Sequence, residues 1–274
     1  MKKQTLHYVH DSWVEEPTIS LFDLSVIRGF GIFDFLRTYH KKPFKLSEHV
    51  DRLFRSAKQL GITVPKTKSQ IEKIVLAGIQ KNNYKECIAR IVVSGGVSPD
   101  GISKTDTSTF AVLFTEAKDY PLSYYTKGVK IISREFERSY PQAKSLNYLT
   151  AVNVLSEAKK EDAIEVLYLD HHRHILEGTT SNFFAVIGGK LITPKENILF
   201  GITRNVVVTL AQKLRIPLLE TDLLYSQIPL FDEACITASN KEVMPVVKID
   251  DQQVGNGKVG ALTKKLITSY RKLL

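Results

Sequence analysis

PQAKSLNYLTAVNVLSEAKKE, residues 141–161, sets Lys144 ahead of a run whose apolar residues recur at helical spacing. The role of that lysine decides which fold the surrounding segments belong to. As a nucleophile toward a carbonyl, forming a Schiff base, its amine must be partly neutral near pH 7, which calls for desolvation or a neighbouring cation. As an ordinary residue it is a solvated charge before a helix. The stretch alone favours the ordinary reading, so its neighbours carry the argument.

On the C-terminal side, strands and helices alternate. VKIISREF reads as a strand, residues 147–160 as a helix, AIEVLYLD as a strand, and HILEGTTSNFFAVIGGKLITP as extended segments around a Gly-Gly turn. A helix starts at GITRNVVVTLAQKL, a strand covers EACITAS, and a last helix begins near Gly260. Glu177 precedes the small polar run GTTSN, where a carboxylate can serve a protonated pyridine nitrogen or simply sit in an exposed turn. Gly201, Ile202 and Thr203 stand where free backbone N–H groups and a hydroxyl can receive a phosphate, although Thr203 equally suits a plain helix cap. Ser239 and Asn240, in TASNK, end a strand where they can complete the same anion cup.

On the N-terminal side, TLHYV, WVEE, GFGIFDFLRTY and PFKL read as strands. Val50, Leu53, Phe54, Ala57 and Leu60 mark a helix that Ser47 is placed to cap, and Ile71, Ile74, Val75 and Ile79 mark a second. CIARIVVSG and TFAVLFTEA follow as strands. KDYPLSYYTKG has no periodicity and carries a proline and a glycine, so it divides the chain into residues 1–119, a linker at 120–127, and residues 128–274.

Composition narrows the function. The chain has 274 residues, 43% of them hydrophobic, which suffices for one large or two modest cores. No apolar run approaches the roughly 20 residues of a membrane span, and MKKQTLHYVHDSW lacks the apolar core of an export signal, so a cytoplasmic location and no membrane partner are expected. Cys87 and Cys235 lie far apart without metal-ligand spacing, which predicts two buried thiols and no metal site. The net charge of +9 is scattered among acids with no basic stripe, so nucleic acid is not the expected partner; small anions are.

Taken in order, Lys-x-x-Asn from Lys144, Glu-Gly-x-x-Ser-Asn from Glu177, Gly-Ile-Thr-Arg from Gly201 and Glu-x-x-Pro-Val from Glu242 resemble the class IV pyridoxal-phosphate aminotransferases. That family includes D-amino acid aminotransferase, branched-chain aminotransferase and aminodeoxychorismate lyase. The likeness spans nearly the whole chain, from RGFGIFDFLRTY to GNGKVGALTKKL. It implies an α+β, fold type IV enzyme: a smaller N-terminal α/β sandwich-like domain, a larger C-terminal pseudo-barrel domain with the cofactor lysine, and pyridoxal 5′-phosphate in the cleft between them. It also implies a homodimer whose subunits complete each other's sites. By the same resemblance Lys144 is the cofactor lysine and proton carrier, and Glu177 is the pyridine-nitrogen partner. Arg52 in EHVDRL holds the phosphate with Ile202, Thr203 and Ser239, and Tyr148 bonds the phenolic oxygen, since Phe33 stands where D-amino acid enzymes usually place a tyrosine.

The substrate pattern departs from the family's common forms. The Arg-x-His trap of D-amino acid enzymes is missing near Ser94, and the Tyr-x-Arg of branched-chain enzymes reads Ile88-Ala89-Arg90 here. A carboxylate still needs a cation, and the planar fork of arginine suits it best. Arg90 and Arg28 are therefore the expected clamp, Arg28 coming from a partner subunit, with Arg37 a third candidate. The compact Lys-Ser-Leu-Asn form and TASNKEVMPVVKID resemble D-amino acid aminotransferases. The expected reaction is ping-pong transfer from a D-amino acid to 2-oxoglutarate or pyruvate. L-branched-chain transamination is the second reading, aminodeoxychorismate lyase the third, and a binding protein on a decayed transferase scaffold the non-enzymatic one.

Overall fold

The computed structural model describes residues 4–274. They form two compact units, the first reaching to Lys118 and including Ala143–Asn147, the second made of Asp119–Gln142 and Tyr148–Leu274.

The first unit contains β1 (His7–Val9), β2 (Ser12–Val14), α1 (Leu24–Arg28), β3 (Gly31–Tyr39), β4 (Lys42–Pro43), α2 (Leu46–Leu60), α3 (Lys68–Asn82), β5 (Cys87–Ser94) and β6 (Phe110–Glu116). Its six strands are antiparallel in the order β2-β1-β6-β5-β3-β4. Alternation sends Ile32 and Leu36 of β3, Ala89, Ile91 and Val93 of β5, and Val112 and Phe114 of β6 into one core with Val50, Leu53 and Ala57 of α2 and Ile71 and Val75 of α3. Each such Val, Leu, Ile or Phe side chain contributes about 1.5–3 kcal/mol on burial, so α2 is fixed firmly to this sheet face. The helix begins slightly earlier than its sequence signals indicate. Its N-cap is Lys45 in the left-handed region, and Ser47 lies inside the first turn and caps nothing. The capping box Thr67–Gln70 starts α3.

The segment 143–147, expected with the C-terminal domain, pairs with β3. Phe33 N donates to the Lys144 carbonyl at 2.9 Å, Leu146 N donates to the Gly31 carbonyl at 2.9 Å, and Ile32 and Ser145 form an antiparallel bridge.

The second unit runs through α4 (Leu122–Thr126), β7 (Val129–Glu135), α5 (Leu149–Lys160), β8 (Val166–Leu169), β9 (Ile175–Gly178), β10 (Asn182–Ile187), β11 (Lys190–Thr193), α6 (Ile202–Lys213) and β12 (Leu218–Glu220). A 3-10 turn (Tyr225–Leu230), β13 (Glu233–Ala238), β14 (Glu242–Ile249), β15 (Gln252–Gln253) and α7 (Ala261–Arg271) follow. The path β10-β13-β14-β7-β8-β9 is closed by pairing of β9 with β10, so six strands form a ring, with β11 and β12 continuing from β10. This is the pseudo-barrel expected for the C-terminal domain. Val129 and Ile131, Leu167 and Leu169, Phe183 and Ala185, Ala234 and Ile236, Met244 and Val246 fill its interior. Residues 120–127, expected as a linker, include α4, whose Tyr125 is buried and donates its hydroxyl hydrogen to the Lys241 carbonyl at 3.2 Å. Both cysteines are buried, as expected. Among the described residues no helix is long and apolar enough to cross a membrane.

Candidate active site

In the first unit the nucleophile candidate is fixed through its backbone. Lys144 N donates to Ser56 Oγ of α2 at 3.0 Å, its carbonyl accepts from Phe33 N, and its Nζ lies 4.5 Å from the centre of the Phe33 ring. An aromatic face attracts a cation, so the Phe33 ring can seat the Lys144 amine whenever it is protonated.

Beneath this segment α2 carries a buried charge cluster. Arg52 donates from Nε to Asp34 Oδ2 at 2.8 Å and from Nη2 to Asp34 Oδ1 at 2.9 Å, while His49 Nδ1 lies 2.6 Å from the same Oδ1. All three side chains are buried. Burial alone would raise the Asp34 carboxyl, but the Arg52 guanidinium and His49 outweigh it and hold the acid well below the usual carboxylate range. Burial pushes His49 down, with the Arg52 and Lys144 charges adding to it against the pull of Asp34. The cluster fixes Arg52 in orientation as a bidentate fork does. Asp34 and His49 were not singled out in the sequence, although His49 and Arg52 stand three apart on one helix face.

The other face of this sheet carries Phe33, Phe35 and Arg37 of β3 beside Ile88, Arg90 and Val92 of β5. Phe35 is paired with Arg90 and Arg37 with Ile88. Arg90 is exposed, with its guanidinium 5.8 Å from the Phe35 ring centre, and Arg37 is buried and stacked 4.5 Å over Tyr39. Two of the three expected carboxylate arginines thus share one sheet face. Arg28 lies apart from them at the end of α1, exposed and donating to the Ile27 carbonyl.

In the second unit Glu177 is 5% exposed and heavily bonded. Arg138 donates to Glu177 Oε1 from Nε at 3.0 Å and again from Nη2, which also reaches the Pro141 carbonyl. Oε2 accepts from Leu199 N at 3.0 Å and from Asn182 Nδ2 at 3.3 Å. Fixed in this way, such a carboxylate is placed to face a protonated ring nitrogen. Arg138 lies in the irregular stretch FERSYPQ that follows β7, where no spacing marked it. Tyr148 is the half-buried residue immediately before α5.

Ile202 and Thr203 open α6 and are buried; the helix has no side-chain cap at Gly201. A Cβ on Gly201 would stand 2.1 Å from Asn182 Oδ1, so only glycine lets this helix start approach the residue that bonds Glu177. α6 packs against β13, whose end leads into half-buried Ser239 and Asn240. Two residues before Ser239, the Thr237 hydroxyl is buried with no hydrogen-bond partner. Uncapped helical N–H groups and an orphaned hydroxyl are the donors a phosphate monoester needs, so the residues present fit the phosphate end of pyridoxal phosphate.

The family model described as amino-transferase class IV matches residues 31–249. The chain is 34% identical over 275 residues to a putative branched-chain-amino-acid aminotransferase of Methanocaldococcus jannaschii, covering 97% of this chain and 95% of the relative. It is 31% identical to a D-alanine aminotransferase of Staphylococcus epidermidis, covering 95% and 94%. The Escherichia coli branched-chain amino acid aminotransferase structure superposes with a TM-score of 0.92 at 27% identity over 99% of this chain and 95% of that one. The branched-chain amino acid aminotransferase of T.th., solved with pyridoxamine 5′-phosphate, gives 0.91 at 26% over 98% and 94%.

Proposed function

Because the chain belongs to the class IV aminotransferase family, we propose that it transfers the amino group of a D-amino acid to 2-oxoglutarate or pyruvate, using pyridoxal 5′-phosphate in a ping-pong cycle. Bound pyridoxal phosphate supplies the electron sink for the pair left behind when the α-proton departs. The chain's residues supply the rest. Lys144 Nζ anchors the cofactor and, once released, carries a proton to and from the substrate α-carbon as general base and acid. Glu177 keeps the ring-nitrogen proton in place. Arg52, the Ile202 and Thr203 N–H groups, the Thr203 hydroxyl, Ser239 and Asn240 neutralise the phosphate, and Tyr148 bonds the phenolic oxygen. Arg90, with Arg37 beside it and Arg28 from a second copy, holds the substrate carboxylate.

The transaminase assignment is carried by the pinning of Lys144 on both sides of its peptide, between β3 and Ser56. A proton carrier works only when held within reach of both atoms it serves. The D-selective part of the proposal is supported by the compact Lys144-Ser145-Leu146-Asn147 run, which meets Gly31–Phe33 without an inserted residue. L-branched-chain transamination is the second reading, favoured by Arg90 on β5 and by the branched-chain relatives. An absorbance spectrum of the holoenzyme, recorded after separate additions of D-alanine, D-glutamate and L-leucine, discriminates between them. A shift of the cofactor band with the D-amino acids alone is expected. A shift with L-leucine alone establishes the second reading, and no cofactor band at all rejects both. Borohydride reduction followed by peptide mapping should place the label on Lys144.

A further inference from the structure

Within the second unit lies a buried ion pair made of two residues to which the chemistry above gives no role. Glu165, immediately before β8, is completely buried, and Lys241, immediately before β14, is 4% exposed. Alternation along β8 puts Glu165 on the same side as Leu167 and Leu169, which line the barrel interior. Its carboxylate therefore stands at one end of an apolar core. An ion there is costly to bury and is retained only with a full set of partners.

The partners come from three separate places. Val166 N donates to Oε1 at 3.0 Å, and the Thr179 hydroxyl to the same oxygen. Oε2 accepts from Thr180 Oγ1 at 2.7 Å, Thr180 N at 3.3 Å, Ser181 Oγ at 3.0 Å and Lys241 Nζ at 3.2 Å. Lys241 Nζ also donates to Thr180 Oγ1 at 2.5 Å. A Cβ on Gly178 would sit 2.3 Å from Ser181 Oγ and 3.0 Å from Glu165 Cγ, so the glycine lets this loop close over the carboxylate. The first loop, Gly178–Ser181, joins Glu177 to Asn182; the second, Ser239–Lys241, carries two phosphate-cup candidates.

We propose that Glu165 and Lys241 are positioning residues that brace these two loops against each other, fixing at once the ring-nitrogen carboxylate and the phosphate cup. The pair thereby ties together the two loops assigned to opposite ends of one cofactor. This rests on the transaminase reading above only where the cofactor is concerned; the coupling of the loops is a property of the protein itself.

Two variants test it. Glu165→Gln removes the charge and keeps the shape, and Thr180→Val removes the hydroxyl shared by both members without stranding a charge. In the cofactor-free protein, hydrogen exchange at amides of residues 178–181 and 239–242 should accelerate together in each variant, well below the unfolding temperature. Titration with pyridoxal 5′-phosphate should give a dissociation constant raised by about tenfold or more, as expected for losing hydrogen bonds to a charged group. Faster exchange in one loop only, or an unchanged dissociation constant, overturns the brace. If the parent protein does not take up the cofactor, the transaminase reading fails, and the exchange measurement alone still decides the coupling.

Discussion

Asp34 holds both Arg52 and His49 from a fully buried position, so its loss strands a cation in the core. Asp34→Ala is expected to cost about 3–5 kcal/mol of stability, the usual result of removing one partner from a buried pair, measured by denaturant unfolding. The acid limb of stability follows from the same cluster. Both Asp34 and His49 are held below their ordinary values, so the unfolded chain binds more protons and stability rises with pH. The His49 contribution is complete above its ordinary value of 6.5 and is lost as pH falls from there toward its lowered folded value; the Asp34 contribution persists to below 3.8. Melting temperature against pH should fall below 6.5 in the parent and show less of that first decline in His49→Asn. At the substrate end, Arg90→Ala should raise the KM for amino and keto acid by about tenfold or more, with kcat changing less; equal KM values would take Arg90 out of the site. Lys144, Glu177 and Thr203 could be proposed from the sequence because each sits in a short motif that resembles the family's. Arg138 and Asp34 could not, because their importance lies in which distant side chain they meet.

At the scale of elements, α6 is positioned by the absence of a side chain at its entrance. Gly201→Ala would drive a methyl into Asn182 Oδ1, and with it the amide that bonds Glu177. The expected result is weaker pyridoxal phosphate binding by titration, with a smaller change in global melting temperature, since the helix's apolar face stays intact. The helices α2, α3 and α5 were readable from apolar spacing, which depends on neighbours within a few turns, and α6 and α7 from where they start. The start of α2 differs from its sequence signals because Lys45 adopts a left-handed conformation that no cap residue announces. α4 has no such signal, because its five residues are held by tertiary contact of Tyr125 rather than by any pattern of their own. β14 shows in the sequence as a motif and not as a strand, since nearly every residue in it is buried and alternation is absent.

For the molecule as a whole, Leu21 and Phe22 are 76% and 72% exposed, and Val26, Val97 and Ile102 of the same unit are also bare, as is Arg28. An apolar surface of this kind suits association with a second copy. Sedimentation should find a dimer, and Phe22→Asp should yield monomers with reduced transaminase activity if Arg28 acts across subunits; a monomeric parent with full activity would refute that. The two-domain α+β architecture and its C-terminal pseudo-barrel were legible through the family's motifs, whereas which strands meet was not, because pairing of β9 with β10 and of β7 with β14 is set by contacts that no local pattern announces.

The ring has a consequence for how the chain comes off the ribosome. β7 needs β14 on one side and β8 on the other, so after its own synthesis one flank stays unpaired until β8 through β13 have all been made. A nascent chain stalled before residue 242 would present that bare flank to its neighbours, an invitation to intermolecular strand addition. Shortened products ending there should therefore precipitate or be captured by chaperones, while the six-stranded N-terminal sheet, whose strands are all complete by Glu116, has no such wait.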